Sequence, residues 1–218
     1  LQMKEKIKEL IKPDPDKQYL KKLEKFRQDH IPLQYNQVKL LNELNNPNID
    51  HFISISNRTD GKSINYVHAL LNIAIDYDLG LTFLSRNIML RTSYQELIND
   101  ILDISTVFDR RNFNFIRSQY YVSLNYKDRT IAVISDLNKF PILIYDEFLA
   151  LETDYLPDEW ERLKTIYESI DRIENYPLIH KPKIFYFGNA VNFDSPVLHG
   201  LKMFNILENH PMNEAKIY

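Results

Sequence analysis

The chain has 218 residues, of which 44% are hydrophobic and 26% charged, with a formal net charge of −3 and no cysteine. This composition excludes a disordered chain, a bulk polycation that coats nucleic acid, and any disulfide, thiolate metal site or cysteine nucleophile. No apolar run approaches the roughly 20 residues that span a bilayer, so we expect a soluble protein without a membrane partner. The absence of cysteine favours a reducing compartment.

Helical patterns interrupted by prolines occupy the first third of the chain. A charged, weakly amphipathic segment ends at Pro13, and apolar residues then recur at helical spacing from Tyr19 to Phe26. A third helix is predicted over 35–45. We expect residues 1–34 to form an N-terminal helical extension and residues 35–218 to form the folded domain.

From residue 51 onward, strand-like and helical patterns alternate. Strands are predicted over 51–55, 81–84, 120–125, 130–135, 142–145 and 183–187, the third and fourth of them as a hairpin. Helices are predicted over 64–78, after a cap at Thr92 or Ser93, and from Pro157 onward. This alternation predicts an α/β domain with a largely parallel central sheet flanked by helices.

The segment between the first predicted strand and its helix, SNRTDGKS over residues 56–63, resembles a phosphate-binding loop. A strand before the loop and a helix after it direct backbone N–H groups toward an anion. Gly61 would allow close backbone approach, Lys62 would reach the β and γ phosphates, and Ser63 would coordinate Mg²⁺. The alternative is an ordinary turn that caps the helix, with Lys62 in solvent.

Two acidic residues, Asp146 and Glu147, follow the apolar run over 142–145. Carboxylates at the end of a buried strand are costly unless a cation lies beside them. Asp146 suits a role in holding Mg²⁺, and Glu147 suits general-base activation of water. The alternative is a strand that enters a polar loop with both acids solvated, but the Lys62 loop upstream favours the catalytic interpretation.

Three other polar residues follow strand or helix ends. Asn189 would sense the γ-phosphate from the end of the last predicted strand, or occupy a β-turn with Gly188. Arg172 closes the preceding helix, where a cation suits the helix dipole, and would otherwise serve a neighbouring subunit as an arginine finger. Arg86, just after the second strand, has the same two interpretations.

Taken in order, these blocks resemble the DNA-encapsidation ATPases of small tailed bacteriophages of the phi29 type. The residues that carry the resemblance, over about 35–197, are Tyr35, Asn36, Lys39, Arg58, Gly61, Lys62, Ser63, Asp146, Glu147, Phe148, Arg172, Asn189, Ala190 and Val191. Ser56 and Thr59 stand where the family loop has glycines. The resemblance implies a P-loop NTPase fold of the ASCE type, RecA-like.

The resemblance also implies that ATP and Mg²⁺ bind to particular residues. The implied nucleotide-binding residues are Tyr35, Asn36, Lys39, Arg58, Asp60, Gly61, Lys62 and Ser63. Ser63 and Asp146 would hold the metal. The implied catalytic residues are Glu147 to activate water, Asn189 to couple hydrolysis to movement, and Arg172 to reach the adjacent subunit.

The implied function is an ATP-hydrolysing motor that translocates double-stranded viral DNA into a preformed procapsid. The working motor would be a homo-oligomeric ring, by resemblance a pentamer, whereas the isolated domain could be a monomer. The motor would be found in the host bacterial cytoplasm and transiently at the portal vertex, joined to the portal directly or through an RNA or protein adaptor. Arg110, Arg111 and Arg117 are candidates for the DNA-facing side, or for an ordinary solvated surface. We expect the family's C-terminal nucleic-acid-binding domain to be absent from these 218 residues.

Two other interpretations remain open at the level of sequence. One is a different P-loop DNA motor, such as a helicase or a partitioning ATPase, with the same lysine and acids. The other is a non-catalytic DNA-binding or scaffold module with a degenerate loop, which Ser56 and the scarcity of glycine (4 in 218 residues) would suit.

Overall fold

The computed structural model describes residues 37–56, 61–86, 88–135, 140–150, 154–172, 179–189 and 193–203. The predicted extension over 1–34 and the candidate site residues Tyr35, Asn36, Arg58 and Asp60 lie outside these ranges. Every helix within the ranges is too short or too polar to span a bilayer.

Helices and strands alternate along the described chain. The helices are α1 (Gln37–Leu44), α2 (Lys62–Asp76), α3 (Ile88–Ile104), α4 (Glu159–Asp171) and α5 (Pro196–Gly200), with a 3-10 turn at Arg110–Asn112. The strands are β1 (His51–Ser56), β2 (Leu81–Leu84), β3 (Phe113–Arg117), β4 (Val122–Tyr126), β5 (Arg129–Ser135), β6 (Ile142–Asp146) and β7 (Lys183–Asn189).

The described strands form one seven-stranded sheet in the order β1-β7-β6-β2-β5-β4-β3. The first five strands of this order (β1, β7, β6, β2 and β5) are parallel to one another. Strands β4 and β3 add an antiparallel extension at one side. The prediction of a largely parallel α/β sheet is therefore confirmed. Because parallel strands share a direction, the last residues of β1, β7, β6 and β2 all lie at one edge, called here the carboxyl edge.

Two apolar clusters cover the two faces of the sheet. Phe185 and Phe187 of β7 pack with α1, α2 and α3 on one face, whereas Ile184 and Tyr186 pack with α4 and α5 on the other. Strand β6 alternates in the same way. Burial on both faces explains why these strands have nearly continuous apolar sequences, which is typical of parallel sheets covered by helices.

The structure corrects two predicted boundaries and adds a strand. Thr92 and Ser93 lie inside α3 rather than at its cap, since no proline or glycine between 81 and 104 interrupts a helix that begins at Ile88. The sequence patterns missed β3, an edge strand that pairs with β4 and buries only Phe113 fully.

The predicted end of β7 is also corrected. Gly188 and Asn189 belong to the strand and pair with Ile55 and Ser56 of β1, so the turn considered for them is wrong. A Cβ atom at Gly188 would lie 2.7 Å from the ring of Phe148. This glycine therefore serves close packing beneath the end of β6, not positive φ.

Candidate functional site

A cleft of about 290 Å³ opens at the carboxyl edge of the sheet. Its lining comes from the start of α2, from α3 and from the ends of β6 and β7. The residues that line it are Gly61, Lys62, Ser63, Ile64, Ser93, Tyr94, Leu97, Asp146, Glu147 and Asn189. Six of these were predicted as site residues from the sequence. The carboxyl edge is also where ligands bind in open α/β sheets.

The first turn of α2 lines the cleft, and its N-cap residue is a glycine. Gly61 caps the helix with φ 67°, a left-handed conformation that glycine adopts without strain, and its carbonyl accepts the first helical bond from the Asn65 N–H at 3.0 Å. As a glycine, this N-cap residue has no side chain with which to cap the helix. The first turn of a 15-residue helix thus faces the cleft with the partial positive charge that favours anions.

Lys62 is directed along the cleft rather than into bulk solvent. Only 8% of the residue is exposed, and its Nζ donates a hydrogen bond to Asn189 Oδ1 at 2.7 Å. This bond joins the start of α2 to the end of β7, 127 residues further along the chain. The alternative of a solvated Lys62 is wrong for this structure.

Asp146 is held at the end of β6 by three hydrogen bonds, two accepted by its carboxylate and one donated by its own N–H. Its carboxylate accepts hydrogen bonds from the Ser63 hydroxyl and from the Glu147 N–H, the latter at 2.8 Å, and its own N–H donates to the Tyr94 hydroxyl at 2.9 Å. Burial raises the pKa of Asp146, and these bonds and the Lys62 charge only partly offset that rise. The carboxylate is therefore costly to ionise in the absence of a cation.

Glu147 extends from the next position into the mouth of the cleft. Glu147 is exposed and has a left-handed backbone conformation with φ 57°. Its carbonyl accepts a hydrogen bond from an Arg86 guanidinium nitrogen at 2.7 Å. Glu147 is thus exposed to solvent, while its backbone carbonyl is held by Arg86.

Arg86 forms a buried ion pair with Glu159, the first residue of α4. The two side chains are 5% and 2% exposed, and two guanidinium nitrogens donate to the two carboxylate oxygens at 2.9 and 2.8 Å. The guanidinium also lies over the rings of Tyr145 and Tyr155, at 5.1 and 5.2 Å from their centroids. Burial works against the charge, but the bonds to Glu159 outweigh it, so the pKa of Arg86 is raised. Within this chain Arg86 is a structural residue.

One wall of the cleft was not predicted from the sequence. Ser93, Tyr94 and Leu97 of α3 lie opposite the start of α2. Tyr94 fits the helical spacing of Leu97, Ile98 and Ile101, which identifies it as a core residue. The contact between the Tyr94 hydroxyl and β6 depends on how α3 packs against the sheet. The spacing of apolar residues along α3 does not predict that packing.

Two other predicted site residues lie away from the cleft. Lys39 is on α1, 66% exposed, and forms an ion pair with Glu43 at 3.8 Å. Arg172 ends α4, whose Tyr167 stacks on His51 at the start of β1, so Arg172 lies at the opposite edge of the sheet. Neither residue lines the cleft.

The three candidate DNA-facing arginines lie around the β3–β4 hairpin and have partners within the chain. Arg110 donates to Asn99 Oδ1 at 2.9 Å, and Arg117 donates to Gln95 Oε1 at 3.0 Å. Arg111, whose side chain is 88% exposed, forms an ion pair with Asp109. These contacts explain the positions of the three side chains without a ligand.

The donor set at the cleft suits Mg²⁺ better than a transition metal. Among the described residues, no three His, Cys, Asp or Glu side chains cluster to hold a metal ion. Mg²⁺ is usually bound through one or two protein oxygens together with phosphate oxygens and water. Ser63 and Asp146 are hydrogen-bonded to each other, so these two side chains would be the residues to hold such an ion, and burial raises the pKa of Asp146.

The fold and the cleft together define an α/β protein in which a lysine at a helix N-terminus and two acids line one cleft at the carboxyl edge of a largely parallel sheet. Among solved structures, the N-terminal domain of the DNA packaging ATPase from bacteriophage phi29 is similar to this chain, with a TM-score of 0.60 and 16% identity over 84% of this chain and 91% of that chain. The bacteriophage Phi-29 viral genome packaging motor assembly is similar with a TM-score of 0.57 and 16% identity, over 84% of this chain and 54% of that one.

These similarities confirm the resemblance to the phi29 type at the level of the fold. No protein-family model matches the sequence, and no curated protein matches it. The role of each cleft residue therefore has to be argued from the geometry of this chain.

Proposed function

We propose that this chain is the ATPase domain of a motor that translocates double-stranded viral DNA into a preformed procapsid. The observation that carries the proposal is the convergence of Lys62, the Asp146–Glu147 pair and Asn189 in one cleft from three separate parts of the chain. A phosphate-binding lysine, a metal-holding carboxylate and a general base are the protein groups that ATP hydrolysis requires. The shared fold with a phage packaging ATPase supports the choice of motor.

The strand order supports an ASCE-type P-loop ATPase. Strand β7 lies between β1, which leads toward the Lys62 loop, and β6, which ends in the acids. Asn189 is thereby placed beside both, in register with Ser56 on one side, while Phe187 of the same strand pairs with Asp146 on the other. A polar amide in this position would contact the γ-phosphate region.

Each cleft residue then has a chemical role. The α2 N–H groups and Lys62 would bind the phosphates, and phosphate oxygens would compete with Asn189 for the Lys62 ammonium. Ser63 and Asp146 would hold Mg²⁺, and bound Mg²⁺ neutralises phosphate charge and polarises the γ-phosphoryl group. Glu147 would accept the proton of the attacking water. The α3 wall of Tyr94 and Leu97 excludes bulk water from one side.

The working form would be a ring of identical subunits around DNA, bound to the portal. Arg172 lies too far from the cleft of its own chain to contact nucleotide there, so its role as an arginine finger requires a neighbouring copy. The converged, buried lysine favours a catalytic site over a degenerate scaffold loop. The fold similarity to packaging proteins favours this motor over a helicase or partitioning ATPase.

The direct test is phosphate release from ATP by the 218-residue chain. We expect turnover that requires Mg²⁺, stops on addition of a chelator, and increases with double-stranded DNA. Absence of both nucleotide binding and turnover at millimolar ATP would contradict the ATPase assignment. Turnover that DNA leaves unchanged in an assembled ring would contradict the motor assignment alone.

Asp146→Asn is expected to stabilise the metal-free protein at neutral pH while preventing its stabilisation by Mg·ATP. Because the folded state raises the pKa of Asp146, ionisation costs stability above that pKa, and the cost disappears as pH falls below the unfolded value. The metal-free variant should therefore melt at a higher temperature than metal-free wild type at pH 7.

The two proteins should respond oppositely to ligand in the same thermal scans. Wild type should gain about 2.7 kcal/mol when the Mg·nucleotide concentration is 100 times its Kd, and the variant should gain much less. At pH 3 the difference between the metal-free proteins should vanish. A variant that melts below wild type at pH 7 would show that Asp146 is stabilising as an anion, against this prediction.

A further inference from the structure

Tyr94 of α3 occupies the gap where β2 and β6 separate at the carboxyl edge. The parallel pairing of these strands ends at Phe83 with Ile144, two residues before Asp146. The Tyr94 ring packs against Phe83 with centroids 5.1 Å apart, and the residue is 3% exposed. Its hydroxyl lies between the two strand ends.

This hydroxyl continues the hydrogen bonding that the strands themselves no longer make. It donates to the Leu84 carbonyl at 3.0 Å and accepts from the Asp146 N–H at 2.9 Å. One phenol thus satisfies a buried acceptor on β2 and a donor on β6.

The contact with Tyr94 affects the cleft through the position of the Asp146 carboxylate. With its N–H fixed by Tyr94, Asp146 presents its carboxylate to the Ser63 hydroxyl and to the Glu147 N–H. Tyr94 also forms part of the lining of the cleft. A shift in the Asp146 backbone would move both acids relative to α2.

We propose that Tyr94 is a positioning residue, which sets the place of the Asp146 carboxylate for Mg²⁺ through the backbone of β6. The proposal rests on the proposed function, since it assigns a partner to the metal-holding residue of that site. It predicts a defect in metal use rather than in nucleotide affinity. Residues that orient metal ligands typically change metal affinity or activity by about 10- to 100-fold when removed.

The variant that tests this is Tyr94→Phe, which keeps the ring and removes only the hydroxyl. Its matched control is Tyr186→Phe, since Tyr186 is fully buried in the same sheet and its hydroxyl contacts His51 Nδ1 at 3.3 Å, at the opposite edge. We measure the Mg²⁺ concentration that half-activates ATP hydrolysis, and the KM for ATP at saturating Mg²⁺. Mn²⁺ binding with ADP, followed by electron paramagnetic resonance, gives the metal affinity without turnover.

The expected result is a rise of about 10-fold or more in half-activating Mg²⁺ and in the Mn²⁺ Kd for Tyr94→Phe, with an ATP KM within about twofold of wild type. Tyr186→Phe should match wild type in all three. Equal defects in both variants, or an unchanged metal dependence in Tyr94→Phe, would overturn the proposal while leaving the ATPase assignment intact. A wild type that neither hydrolyses ATP nor binds Mn²⁺ with ADP would overturn both.

Hydrogen exchange in the unmutated protein tests the same contact should Tyr94→Phe not fold. The Asp146 amide should exchange slowly in metal-free protein because it is bonded to the buried phenol. Exchange as fast as that of exposed loop amides would overturn the proposal.

Discussion

Lys62→Ala is expected to lose nucleotide binding and hydrolysis together, whereas Glu147→Gln is expected to keep binding and lose hydrolysis. Lys62 is the buried cation at the start of α2, and under the proposed function its removal would take away a charge-assisted hydrogen bond to phosphate. Such a bond is worth about 1.5–3 kcal/mol, or roughly 10- to 150-fold in affinity. Glu147 would act only on the attacking water, and loss of a general base costs about 10²- to 10⁴-fold in rate.

The measurement pairs a binding assay with single-turnover hydrolysis. A fluorescent ATP analogue reports the Kd of each protein, and rapid quench reports the rate of the chemical step. Lys164→Ala and Glu161→Gln are the matched controls, because they make the same changes at exposed positions on α4. Both controls should match wild type in Kd and rate.

Particular outcomes would contradict the assignments separately. If Glu147→Gln hydrolyses ATP like wild type, the water-activating role of Glu147 is wrong even if Lys62 binds phosphate. If Lys62→Ala binds and hydrolyses normally, the loop is an ordinary helix cap and the scaffold interpretation returns. If loss of Lys62 frees Asn189 and alters folding instead, the variant will melt earlier than its control in the absence of nucleotide.

The elements that sequence predicts well are those whose pattern reflects burial on both faces. Strands β6 and β7 have four or more consecutive apolar residues because helices cover both sides of the sheet. The sequence alone could then predict that four residues come together: Lys62, Asp146, Glu147 and Asn189. Each of them lies at or next to the end of a helix or strand that reaches the carboxyl edge. Parallel strands deliver their ends to one place whatever the details of packing.

The features that sequence did not predict depend on side chains that reach across elements. Glu159 at the first turn of a helix looks like a solvated acid favoured by the helix dipole. In the structure it is buried against Arg86, 73 residues away. Strand β3 was missed for a related reason, because an edge strand buries one face only and Asn114 and Arg117 are exposed.

Arg86→Met is expected to cause the largest loss of stability of any single substitution proposed here. It leaves Glu159 buried without its cation, and breaking a buried ion pair by removing one partner costs about 3–5 kcal/mol. At this size that loss corresponds to a fall in Tm of roughly 6–20 °C. Arg111→Met is the matched control, because the Arg111 side chain is 88% exposed, and its Tm should not change.

The double variant Arg86→Met with Glu159→Leu separates the ion pair from the rest of the Arg86 contacts. Since apolar replacement of a buried pair is often neutral or stabilising, the double variant should melt well above Arg86→Met. Its rate of ATP hydrolysis should nevertheless remain below that of wild type. The reason is that the carbonyls of Glu147 and Phe148 lose their guanidinium donors, so the left-handed backbone at Glu147 loses its support. Recovery of both Tm and rate would show that Arg86 serves the fold only through Glu159.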